Sequence, residues 1–119
     1  MNDLVRLTMP TSPRLRGVAT LVLGGMGSRL HMPFERVDDL QLAALSVLSA
    51  ATEDTVTLEL AAEVDSLSLG IGPLANGTGT DQGLRRVLDR LVDGVEPTER
   101  AGREWLTLRL RRPGEGASG

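Results

Sequence analysis

Apolar and polar residues alternate over Leu4–Met9, with Val5, Leu7 and Met9 on one face and Leu4, Arg6 and Thr8 on the other, which predicts a short strand. The period then lengthens. Thr11-Ser12-Pro13 supplies a hydroxyl N-cap and a first-turn proline. Leu15, Val18, Ala19, Val22 and Met26 follow at helical spacing to about Leu30, which predicts a helix with one buried stripe. After the His31-Met32-Pro33 turn a second helix is expected from about Glu35 to Ala51, burying Val37, Leu40, Ala44, Val47, Leu48 and Ala51. Glu35, Asp38 and Asp39 fall in its first turns, where acidic groups favour the positive end of the helix dipole.

Two further alternating runs, Thr55 to about Val64 and Ser66–Leu69, are separated only by Glu63–Ser66 and read as a central antiparallel hairpin covered on one side. Pro73–Gly79 is a glycine-rich loop. A third helix is expected from about Asp81 to Val92, with Leu84, Val87, Leu88, Leu91 and Val92 buried and Gly94 closing it. A short edge strand from Val95 and a last strand over Glu104–Arg111 complete the pattern, and the tail Pro113–Gly119 is expected to be disordered. Grouped elements without βαβ alternation predict an α+β fold, a two-layer sandwich of helices on a mixed, mainly antiparallel sheet. One domain over residues 1–112 accommodates all of it.

Gly17, Gly24, Gly25 and Gly27 interrupt the first helix, each weakening it by up to about 1 kcal/mol relative to alanine. Close packing against the sheet or the neighbouring helix is the expected reason, with a close subunit contact as the alternative.

Composition removes several classes of chemistry. The chain of 119 residues carries a formal charge of -3 and only two aromatic residues, Phe34 and Trp105, so neither a cationic surface nor a stacking platform for nucleic acid is expected. With no cysteine, thiol catalysis and zinc–cysteinate sites are excluded. All thirteen basic residues are arginine, which excludes a Schiff-base or P-loop lysine and points to a GC-rich bacterial genome. The apolar stretch Val18–Met26 falls well short of the ~20 residues that span a bilayer, and it has no signal-peptide cleavage pattern. A soluble cytoplasmic protein is expected.

His31, the single histidine, lies at a helix end, so neither a metal site nor a serine-hydrolase triad has its usual partners. No catalytic residue and no metal ligand is assigned from spacing.

The segment Asp39-Leu-Gln-Leu-Ala-Ala-Leu-Ser-Val-Leu-Ser-Ala-Ala51 resembles the first long motif of the anti-sigma-factor serine kinases of the RsbW/SpoIIAB type. These form a branch of the GHKL, or Bergerat-fold, ATPases, whose motif reads roughly Asp-Leu-x-Leu-Ala-x-x-Glu-Ala-x-x-Asn-Ala. Leu4–Pro10 resembles the family's opening strand, Gly83–Asp93 its Gly-Leu-x-Leu helix, and Val95–Arg111 its terminal hairpin. The resemblance implies the histidine-kinase-like ATPase fold.

It also implies a site whose chemical groups have gone. Ser46 stands where the family has the activating Glu, and Ala50 where it has the magnesium-holding Asn. The adenine motif Asp-x-Gly-x-Gly corresponds to Gly70–Leu74, where Gly70 replaces the carboxylate, Gly72 survives and Leu74 replaces the second glycine. Gly70, Gly72, Leu74 and Gly83 are thus remnants of a pocket rather than a working cofactor site. Ala75–Gly83 could offer N–H groups to an anion, but Asp81 and the lack of lysine make it a poor phosphate loop, and it reads as a flexible one. On the first helix, Thr20 stands where the kinases often carry a contact arginine.

Subtracting the lost groups leaves a non-catalytic, anti-sigma-factor-like regulator in a partner-switching pathway, without cofactor. Its expected partners are a sigma factor or a STAS-domain antagonist, and it is expected to be a homodimer. The alternative is an active ATP- and magnesium-dependent serine-protein kinase. A third reading is an unrelated α+β binding domain.

Overall fold

Each alternating run becomes a strand because one of its faces is apolar enough to be covered and the other polar enough to stay wet. The computed structural model describes residues 3–111. Its elements are β1 (Asp3–Pro10), α1 (Arg16–Arg29), α2 (Phe34–Ala50), β2 (Thr55–Ala62), β3 (Ser66–Leu74), α3 (Gln82–Leu91), β4 (Gly94–Arg100) and β5 (Arg103–Arg111). Short 3-10 turns at Pro13–Leu15 and Thr78–Thr80 precede α1 and α3. The expected tail at 113–119 lies outside the described residues.

The five strands form one sheet in the order β1-β2-β3-β5-β4. Every hydrogen-bonded pairing among the described residues is antiparallel, where a mixed, mainly antiparallel sheet was expected. The reason is topological. β3 and β4 run parallel across the α3 connection, but β5 folds back between them, so the parallel pair never shares a ladder.

Register places the apolar side chains in rows across the sheet. Leu7, Leu58, Ile71 and Leu106 form one row, and Val5, Leu60, Leu69, Leu108 and Val95 the next. Leu40, Ala43, Ala44, Val47 and Leu48 of α2 and Leu88 of α3 are buried in the same core, which contains no buried polar side chain among the described residues. The opposite face of the sheet carries Arg6, Thr8, Thr57, Glu59 and Thr107, and among the described residues no helix covers it.

α1 departs from its expected stripe. Ala19, Leu23, Met26 and Gly27 are buried, Val22 is half-buried, and Leu15 and Val18 remain 37% and 40% exposed. On α3, Leu84, Leu88 and Leu91 face inward one turn apart, which leaves Val87 exposed. Gly94 opens β4 instead of closing α3.

Two of the four α1 glycines have a packing reason. A Cβ on Gly27 would lie 2.5 Å from Val37 Cγ2, and one on Gly24 would lie 3.0 Å from Gln41 Nε2. Gly17 and Gly25 face open space. His31 ends the helix in the left-handed region at φ 56°. There its N–H donates to Ser28 O and that of Met32 to Gly27 O, the paired bonds of a Schellman cap with histidine where glycine is usual.

Gly27→Ala is expected to lower stability by about 1–3 kcal/mol through overpacking against Val37. Gly25→Ala should instead raise it by about 0.5–1 kcal/mol. Urea unfolding of the two variants checks both signs.

Candidate functional site

The glycine-rich segment between β3 and α3 has a backbone shaped to hold an anion, and the fold supplies that anion from within. Gly77 adopts φ 97°, which turns successive N–H groups to one side. Glu104, the second residue of β5, receives them: its carboxylate accepts from Gly77 N–H at 2.8 Å and from Gly79 N–H at 2.5 Å. A side chain on Gly79 would meet Glu104 Oε2 at 2.8 Å and Pro97 Cβ at 2.9 Å, so only glycine lets the loop close on β5 and β4.

The rest of the segment is also satisfied locally. Thr78 Oγ1 donates to Ala75 O at 2.6 Å, Thr80 Oγ1 to Gly77 O at 2.9 Å, and Arg85 Nη1 to Gly79 O at 3.0 Å. Asp81 caps α3 by accepting from Leu84 N–H at 2.8 Å, so the helix N-terminus holds its own carboxylate. Gly83 sits exposed in that first turn. Beside the loop, a shallow depression is lined by Asn76, Pro97, Thr98, Glu99 and Glu104, and its two carboxylates repel a further anion.

The other sequence-derived positions do not meet there. Ser46 Oγ donates to Leu42 O at 2.9 Å within α2, and Ala50 is the exposed last residue of that helix. Leu74 is fully buried at the end of β3. Gly70 and Gly72 lie inside β3, with their Cβ directions on the sheet face away from the helices. A Cβ on Gly72 would sit 2.3 Å from Trp105 Cδ2, and one on Gly70 would lie 3.8 Å from Arg100 Nη2 and 3.9 Å from Trp105 Cε3. The two glycines make a flat seat for an indole and a guanidinium.

That seat organises the open face. Arg100 stacks 4.0 Å from the centroid of Trp105. Glu59 pairs with Arg100 at 2.8 Å and with Arg6 at 2.9 Å, tying strands β1, β2 and β4 across the sheet. The glycine spacing in β3 therefore has a packing cause that owes nothing to a nucleotide.

Glu104 and the Trp105–Arg100–Glu59 cluster are what reasoning along the chain missed. The loop partners of Glu104 lie 25 and 27 residues away, and no local pattern marks Glu104 as an acceptor for a loop. Among the described residues, no group of three or more His, Asp or Glu is placed to hold a metal ion. No helix among them is long and apolar enough to cross a membrane.

One further ion pair links the ends of the sheet layer. Arg103 at the start of β5 meets Glu53 before β2 at 2.7 Å. The hydrogen bond from Arg103, and then its charge, hold the Glu53 carboxyl below its ordinary value, while Glu53 raises Arg103 in return.

No protein-family model matches the chain, and no curated protein matches it either.

Glu104→Ala leaves the Gly77 and Gly79 N–H groups without their acceptor and should cost about 1–3 kcal/mol, with amide exchange accelerating first at those two residues. The lowered Glu53 value stabilises the fold above the unfolded carboxyl's ordinary value and is lost as pH falls through the folded one. Glu53→Gln should therefore flatten the acid side of a stability–pH profile and leave its alkaline side unchanged.

Proposed function

We propose that this chain is a non-catalytic regulatory domain of the bacterial cytoplasm that acts by protein–protein binding. In this reading it is an anti-sigma-factor-like module of a partner-switching pathway, working as a homodimer on a sigma factor, a STAS-domain antagonist, or both, with no nucleotide in its cycle. The observation that carries the non-catalytic part is the internal occupation of the glycine-rich loop. Glu104 takes the two N–H groups best placed for a phosphate, and Asp81 takes the end of α3.

Two further features support it. Ser46 is hydrogen-bonded inside its own helix, and Gly70 and Gly72 serve Trp105 and Arg100. A phosphate entering the loop would have to displace a carboxylate already making two charge-assisted hydrogen bonds. Large apolar side chains left in solvent, Leu21 at 77% and Phe34 at 85% exposure, supply the kind of surface a binding module needs. The assignment to sigma-factor regulation rests on the motif resemblance of the Asp39–Ala51 segment.

Calorimetric titration with magnesium-ATP and magnesium-ADP is expected to give no binding heat, while purified sigma-factor or STAS-domain proteins are retained on the immobilised chain without nucleotide. Clear ATP binding at low micromolar concentration would return the chain to the kinase reading.

A further inference from the structure

α1 is apolar on more sides than the fold covers. At 100° per residue, Leu15, Val18 and Val22 line the flank of the helix that overhangs β1, and Leu15 and Val18 are exposed while Val22 is half-buried. Below them Val5 and Leu7 of β1 are also only half-buried, and with Val22, Ala19 and Leu23 they line a narrow apolar seam. β1 pairs only with β2, so among the described residues its outer edge has no ladder partner over its eight residues. A long edge with free N–H and C=O groups and an apolar flank is a template for an added strand.

The charge of this side differs from that of the rest of the molecule. Asp3–Phe34, from the start of β1 to the start of α2, contains four arginines, one histidine and a single acidic residue, Asp3, in a chain whose formal charge is -3. Arg6 pairs with Glu59 and Arg16 Nη1 donates to Ser49 Oγ. Arg14 and Arg29, which bracket α1, make no ion pair among the described residues. They are fifteen residues apart, or roughly 22 Å along the helix, close to the roughly 27 Å of an eight-residue strand. A second copy docked here about a two-fold axis would bring this basic side against itself.

We propose that the β1 edge and the Leu15–Val18–Val22 flank of α1 form a docking surface for an extended acidic segment of a partner protein, which adds as a sixth strand beyond β1. Its alternate apolar side chains cover Val5, Leu7, Val18 and Val22, and its carboxylates meet Arg14 and Arg29. The inference deepens the binding-module reading and rests on it for the partner being a protein.

The test uses the full isotopically labelled chain and a synthetic peptide of about eight residues, the length of β1, alternating valine and glutamate. Expected results are slowed amide exchange along β1, shifted methyl signals of Val18 and Val22, and about tenfold weaker binding both by the peptide with lysine in place of glutamate and by the double variant Val18→Glu, Arg29→Glu. Both substituted residues are exposed, and circular dichroism checks that the variant folds. Absence of binding, equal binding of the lysine peptide, or perturbation confined to the open sheet face or to the α1–α2 groove beside Phe34 overturns the proposal. So does protection of the β1 amides that rises with protein concentration in the absence of peptide, which places a second copy on β1. If the double variant retains a sigma-factor or STAS protein as well as the wild type does, the surface is wrong and the binding-module reading stands; if the wild type retains neither, that reading fails first.

Discussion

The sheet has one face apolar enough to be covered, and the rest of the fold follows from that. Leu58, Leu60, Leu69, Ile71, Leu106 and Leu108 stand on the same side of three adjacent strands and are almost completely buried. Removing each such side chain from water contributes about 1.5–3 kcal/mol before chain entropy is counted. Only helices with a matching stripe satisfy that layer. α2, with Leu40, Ala43, Ala44, Val47 and Leu48 buried, lets its backbone come close through two alanines. Among the described residues no polar side chain shares this core, so the polar groups lie at the rim or on the open face.

Several polar groups on the open face and at the rim are satisfied from within the fold. Glu59 serves two arginines from opposite sides of the sheet. Trp105 lies flat because Gly72 gives it room. Glu104 closes the glycine-rich loop, and Asp81 closes the helix after it. Such an arrangement favours a fixed scaffold over a site that must exchange a charged ligand, because a vacated nest would leave buried donors unmet. The unsatisfied part of the molecule is apolar and basic instead, along the β1 edge and the outer flank of α1.

The period of the side chains, visible in one dimension, determined a good deal by itself: three helices, the β2–β3 hairpin, the final β-strand and the apolar faces of β2, β5 and most of α2 lie where alternation or helical spacing placed them, except that β3 runs on past Leu69 to Leu74 and takes Pro73 from the expected loop. Local physics suffices where a residue's partner is near in sequence.

Tertiary structure decided what depends on distant partners. β5 inserts between β3 and β4 and makes the sheet wholly antiparallel, a matter of strand order that no period encodes. Gly70 and Gly72, which in sequence resemble half of a nucleotide motif, are shaped by Trp105 and Arg100, about thirty residues later in the chain. Leu15 and Val18 fit a buried stripe by spacing, yet among the described residues that flank of α1 is only partly covered. Periodicity says which side chains could be buried together; only packing says which of them find a neighbour.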